Sequence, residues 1–198
     1  ELGVDMKKIV QLSMVMVVLM LSSMAFAKGG ATDFLKAKDK KLSSLLKDTE
    51  KNKGKIISVV NKMLDFDTLC KDSLGKHWDS KTEEQRKEFT ATLKALIEKN
   101  LIKRLKDTKD RNITYKKETM TGNQAQVLTL VKTSDDPRAD STEIEYKLQK
   151  KGSTWGVVDM VTDGISLVGN YRSQFNKIIT EDGWDVLMKK MKDKLAEQ

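Results

Sequence analysis

The chain contains one His and one Cys, and side-chain chemistry would first be sought at those two positions. His77 stands in Lys76-His77-Trp78 and Cys70 in a short apolar stretch, with no spacing that makes them partners. A reactive thiol needs a base or an electropositive setting to hold it as thiolate. Cys70 is therefore expected to be a small buried hydrophobe, and His77 a solvated loop residue. A lone Cys excludes an intramolecular disulfide framework and a multi-thiolate metal site, and a lone His cannot build a His cluster. The sequence has no G-x-S-x-G, H-E-x-x-H, C-x-x-C, phosphate-binding glycine loop or dinucleotide fingerprint, and each absence removes a reaction class. The remaining candidate is Asp159, a carboxylate that alternation sets on the apolar side of a strand. Left unpaired there it would be costly, so it must meet a turn, a cation or a wet rim. The expected role is structural, tying the strand end to Asp163-Gly164 and the following helix. The other possibility is a general base in a pocket, for which the sequence offers no partner to stabilise developing charge.

The elements that would hold these residues are legible from hydrophobic spacing. Leu35, Leu42, Leu45 and Leu46 predict a helix from Asp33 to Lys51 ended by Gly54, with a short helix from Lys55 to Met63 after it. Asp65 to Gly75 reads as another, with Gly75 as its C-terminal stop. Ser80-Lys81-Thr82-Glu83 has capping-box spacing and opens the longest helix, to about Lys106. Phe89, Leu93, Leu96, Ile97 and Leu101 share one stripe of it, and it should be roughly 37 Å long. After Arg111 the period becomes two: Ile113 to Thr119 and Gln124 to Lys132 flank a Gly122-Asn123 hairpin. A polar loop with Pro137 follows, then strands Thr142 to Lys150 and Thr154 to Val161 around Gly152-Ser153. This pairing predicts Trp155, Val157 and Asp159 on the face of Tyr146 and Leu148, with Val158 and Met160 on the other. The second strand, apolar on both faces, should be central. Helices from Leu167 to Thr180 and from Gly183 to about Glu197 close the chain. The predicted class is α+β: a curved antiparallel sheet of about four strands backed by N- and C-terminal helices, which either pack solidly on it or enclose an apolar cavity.

Lys7 and Lys8 precede an apolar run from Ile9 to Leu21, which gives way to small residues ending Ala25-Phe26-Ala27. Residues 1–27 thus read as a cleaved signal peptide, with Met6 a candidate start, because a membrane-spanning helix needs about 20 apolar residues. The rest, 28–198, is read as one domain. The formal charge is +8, and removing the leader leaves it unchanged, since Glu1 and Asp5 go with Lys7 and Lys8. The excess is nearly all Lys, which lacks the planar fork that reads bases and grips phosphates, so nucleic acid is not an expected partner. Lys-rich surfaces serve solubility or attraction to anionic lipid or an acidic partner, and both accounts stand at this point.

The amphipathic helices and the sheet carry more apolar faces than a chain of this size needs unless every face is packed. Ordinary core is one account; a water-excluding cavity suited to acyl chains is the other. About thirty methylenes transferred from water would gain about 25 kcal/mol at roughly 0.8 each, beyond the practical affinity ceiling of about 18 to 21. Lipid drawn from a bilayer already has dry tails, so exchange lies near balance, as a carrier requires. No catalytic group is needed, and the chain is not expected to be an enzyme.

Leu64-Asp65-Phe66 followed by "LGKHWDSKTEEQRKEF", and "WGVVDMVTDGISLVGNYRSQF" from Trp155 to Phe175, resemble the two signatures of the MlaC-type toluene-tolerance auxiliary proteins. Gly183 and the Leu187 region resemble their closing helix. One departure follows Leu96-Ile97, where that family commonly carries an aromatic residue and this chain has Asn100-Leu101. The resemblance implies a periplasmic protein that holds a glycerophospholipid by its tails, with the headgroup near solvent and no cofactor. It implies shuttling between an outer-membrane lipoprotein complex and an inner-membrane ABC transporter, which maintains outer-membrane lipid asymmetry. A carrier of another apolar ligand such as a hopanoid, or a basic adaptor of the transporter that binds no lipid, are the alternatives. The candidate cavity lining comprises Leu93, Leu96, Ile97 and Leu101 of the long helix, then Val127, Leu128, Ile144, Tyr146, Leu148, Trp155 and Val157 of the sheet. Leu167, Val168, Tyr171 and Phe175 of the following helix complete it. Gly164 would allow the turn, and Arg172 is either a partner or headgroup contact or a solvated charge.

Overall fold

The computed structural model describes residues 30–107, 111–132 and 140–197. The proposed signal peptide and the Pro137 loop lie outside the described residues. Two helices open the described chain, α1 (Ala31–Leu46) and α2 (Thr49–Asn61). They are separate because Asp48 caps α2, its carboxylate accepting from Lys51 N at 3.2 Å. The expected terminator Gly54 instead lies inside α2, where its cost is modest against the apolar face formed by Ile56, Val59 and Val60. Next, α3 (Phe66–Leu74) is capped by Asp65 and ends at Gly75, whose φ of 57° needs a residue without a Cβ. A 3-10 turn over Gly75–His77 leads to α4 (Glu83–Asp107). The capping box lies two residues later than the sequence spacing suggested. Thr82 and Gln85 exchange bonds of 3.0 and 3.3 Å, whereas the Ser80 hydroxyl donates to His77 O.

The sheet has five antiparallel strands in sequential order: β1 (Asn112–Thr121), β2 (Gln124–Lys132), β3 (Thr142–Lys151), β4 (Thr154–Thr162) and the two-residue β5 (Ile165–Ser166). Then come α5 (Leu167–Asp182) and α6 (Trp184–Ala196). The fifth strand was not anticipated; positive φ at Asp163 and Gly164 folds the chain back onto Val161 and Thr162. Alongside it, Met63–Asp65 bonds to both the N–H and the C=O of Val157 at 2.9 Å. Segments on either side thus cover the β4 edge. β1 is the other edge, interrupted by a bulge at Lys116 and carrying Lys116 and Lys117, features that discourage strand addition.

A second bulge revises the sheet faces. Leu148 pairs with Val157 and Lys147 with Asp159, leaving Val158 unpaired, so Tyr146 faces Met160. Met160 therefore shares the helix-side face with Tyr146, and Asp159 turns to the opposite one, both contrary to strict alternation. β2 is an interior strand, flanked by β1 and β3, but the central strand of the five is β3; within β2 only Ala125, Val127 and Thr129 are fully buried. Leu128 and Leu130 are half-buried on the far face. Between the buried sheet face and the helices lies one core, in which Phe89 meets Phe175 edge-on at 5.5 Å and Tyr171 stacks on Phe175 at 5.4 Å.

Long-range bonds fasten the helices to the sheet. The Glu118 carboxylate on β1 accepts from the first amides of α1, Ala31 N at 3.1 Å and Thr32 N at 3.2 Å, neutralising unsatisfied donors at a positive helix end. Lys151 on β3 pairs with the α3 cap Asp65 at 2.7 Å.

Candidate ligand cavity

The residues first considered for catalysis all have structural partners. Asp159 accepts from Val168 N at 3.0 Å, Ser166 Oγ at 2.7 Å and Lys147 Nζ at 3.2 Å. It joins β4 to the first turn of α5 and leaves little acceptor capacity for a substrate proton. Cys70 is fully buried, and burial pushes its thiol up to about 12, so no thiolate is available near neutrality. His77 is not a solvated loop residue: it is half-buried in the 3-10 turn, with Nε2 3.0 Å from Asn176 Oδ1 on α5. Arg172 Nε donates to Asp72 O at 2.7 Å, and its methylenes pack on Gly75. The side chain secures the C-terminal end of α3, where a cation is electrostatically favoured. Among the described residues, no group of three or more His, Cys, Asp or Glu is placed to hold a metal.

A cavity of about 470 Å³ lies between α1, α2, α4, α5 and the helix-side face of the sheet, and with its open mouth the space reaches about 1310 Å³. Its apolar wall includes Leu42, Val60, Met63 and Leu64 from the N-terminal helices and their connection, and Met160 from β4. Five of the sequence-predicted residues meet them there: Ile97, Leu101, Tyr146, Leu167 and Tyr171. The others do not border this space. Leu93, Leu96, Val127, Leu148, Trp155, Val157, Val168 and Phe175 are buried in the core, and Ile144 is half-buried against it. Leu128 cannot share the wall, since it is on the opposite sheet face from Tyr146. Core and cavity wall obey the same hydrophobic periodicity, which is why spacing did not separate them.

One side of the cavity is polar. Asp39 of α1 receives the Tyr115 hydroxyl of β1 and stands 3.9 Å from the Arg111 guanidinium. Burial raises the Asp39 carboxyl above the usual range even though Tyr115 and Arg111 both favour its ionised form. Burial likewise raises the phenols of Tyr115 and Tyr171 and takes Tyr146 up to about 12, so all three stay neutral. Asn100, Lys103 and Arg104 complete this side, the two cations being exposed at the mouth. The sequence carried a signal for the cluster that hydrophobicity alone did not read: Asp39 interrupts the helical stripe Leu35, Leu42, Leu46. The arrangement can shelter an elongated apolar group and place a polar one beside Arg111 and the α4 cations.

Comparison with known proteins agrees with this architecture. The phospholipid-binding protein from Ralstonia solanacearum, solved in complex with a phospholipid, is 19% identical and superposes with a TM-score of 0.73. The match covers 84% of this chain and 97% of that one. No curated protein matches. The family model described as MlaC protein matches residues 31–193, from the first residue of α1 into α6, and the chain belongs to that MlaC family.

Proposed function

We propose that this protein is a periplasmic phospholipid carrier, exported by segment 1–27, with 28–198 as its lipid-binding domain. It takes the acyl tails into the cavity, keeps the headgroup at the mouth and performs no chemistry on either. It shuttles lipid between an outer-membrane lipoprotein complex and an inner-membrane ABC transporter, and so maintains outer-membrane lipid asymmetry. The observation that carries this reading is the apolar cavity of about 470 Å³ with a cationic mouth, a size typical of small-molecule sites. Membership of the MlaC family and a similar fold in a protein solved with phospholipid lend further support. The tail-lining residues proposed are Ile97, Leu101, Tyr146, Leu167 and Tyr171 with Leu42, Val60, Met63, Leu64 and Met160. Each methylene sheltered gains about 0.8 kcal/mol over water but little over a bilayer, so lipid enters and leaves by exchange between two dry environments.

Native mass spectrometry of the protein purified without detergent tests this directly. A complex heavier than the chain by one phospholipid, with that lipid recovered in organic extract, is the expected result. A protein that is empty as purified, and that takes no lipid from phosphatidylglycerol or phosphatidylcholine vesicles, refutes it. Salt-sensitive binding to the transporter complex that persists when the interior is blocked would instead identify an adaptor.

A further inference from the structure

The cavity is polarised along α4. Ile97 and Leu101 present apolar surface, and within the next turn the wall becomes Asn100, Lys103 and Arg104, residues at i, i+3 and i+4 that share one helical face. Across the mouth stands Arg111, whose Nε is buried and has no hydrogen-bond partner among the described residues. Among the described side chains one carboxylate, Asp39, lines the same space, and its oxygens are turned to Tyr115 and Arg111. Among the described side chains, three cations therefore face one anion and the C-terminal end of α4, whose dipole adds roughly half a negative charge. The field at the mouth remains positive, in a place partly shielded from water, where charge is felt more strongly than on an open surface.

We propose that Lys103, Arg104 and Arg111 select the charge of the lipid headgroup, so that the protein favours phospholipids with a net negative headgroup over zwitterionic ones of equal chain length. This rests on the carrier reading above and adds to it the class of lipid preferred. A zwitterionic headgroup presents its phosphate to the same cations but brings an ammonium with it, and the attraction largely cancels. A headgroup such as phosphatidylglycerol keeps the whole phosphate charge. Arg111 Nε supplies the unused donor for a phosphate or glycerol oxygen at the cavity side of the mouth.

The test is competitive loading from vesicles of equimolar phosphatidylglycerol and phosphatidylcholine with identical chains. Both lipids then lie in one membrane, so attraction of the +8 chain to the vesicle surface is common to both and cancels in the ratio. The lipid bound to re-isolated protein should be enriched in phosphatidylglycerol by about tenfold. In the double variant Lys103→Gln/Arg104→Gln the enrichment should fall to about threefold or less. Lys76→Gln/Lys177→Gln, which removes equal charge from exposed positions that do not line the cavity, should keep the wild-type ratio. A wild-type ratio equal to that of the vesicles overturns the proposal while leaving the carrier reading intact. So does an equal fall in both double variants, which would assign the preference to overall charge. A protein that loads neither lipid overturns the carrier reading and this proposal with it.

Discussion

Leu101→Trp separates a lipid cavity from an ordinary packing defect. Leu101 is half-buried on α4 and borders the cavity, so an indole there extends into empty space rather than into packed core. The exchange adds about six non-hydrogen atoms. If half of that volume is taken up by small shifts of neighbouring side chains, about three tail methylenes lose their place. At roughly 0.8 kcal/mol each, the cost is about 2.4 kcal/mol, or about 50-fold in lipid affinity. Added apolar contacts should meanwhile leave the melting temperature unchanged or raised, because filling a void stabilises where overpacking destabilises. The assay is transfer of a fluorescent phospholipid from vesicles, titrated against protein, beside a thermal melt. Leu128→Trp is the matched control on the opposite sheet face and should bind as wild type does. The reasoning fails if Leu101→Trp loads lipid like wild type, or if both variants lose binding equally.

Asp159→Ala should cost about 2 to 4 kcal/mol in urea unfolding, since it strands the Val168 amide, the Ser166 hydroxyl and the Lys147 ammonium. Its folded fraction should still load lipid, whereas a catalytic carboxylate would give a stable, inactive protein. At Gly156 an added Cβ would stand 2.9 Å from Asp65 Cβ, so Gly156→Ala should lower stability by about 1 to 3 kcal/mol, read from the unfolding midpoint. For Asp65, burial works to raise the carboxyl, but bonds from Lys151 and Thr68 outweigh it and hold it below 3.8. A depressed folded pKa stabilises above the unfolded value and loses that contribution as pH falls through the folded one. The deficit of Asp65→Asn against wild type should therefore be full above about pH 5 and shrink on acidification below 3.8. Cys70, with its thiol raised to about 12, should resist a thiol reagent at pH 8 in the native state and react at once in about 6 M guanidinium.

The helices and strands could be read from spacing because burial on one face imposes a period, and the period survives in the sequence. Register was harder. The Val158 bulge moves Met160 onto the cavity wall and takes Asp159 off the Tyr146 face, and a single extra residue leaves no mark in alternation that a β-branched pair such as Val157-Val158 would betray. The Asp48 cap likewise outweighed Gly54 as a divider of α1 and α2, since a satisfied helix start counts for more than one interior glycine. At the site, five of the expected residues border the cavity because they lie on faces that meet. Trp155, Val157 and Phe175 carry equally apolar side chains but are enclosed on all sides, a distinction that depends on distances between elements rather than on residue type. The polar side was missed because Asp39 and Arg111 are 72 positions apart, and only the docking of α1 against β1 brings them together.

That docking also bears on how an apolar hollow persists without collapsing. Side chains around a void lose contacts on the empty side, so the elements bordering it tend to close unless they are held from elsewhere. Here they are held at their ends. Glu118 fixes the start of α1 to β1, Asp159 fixes the start of α5 to β4, Arg172 ties α5 to the end of α3, and Lys151 ties the α3 cap to β3. These bonds gather at helix termini, where unsatisfied amides and carbonyls make charged partners most effective, and all lie off the cavity wall. The tail-facing part of the wall is left to Leu, Val, Ile, Met and Tyr side chains, with the polar residues gathered on one side. A frame set by polar bonds around a soft apolar lining lets lipid enter and leave at little cost in structure, and it accounts for Asp159, the carboxylate first weighed for catalysis, as the tie between β4 and the start of α5.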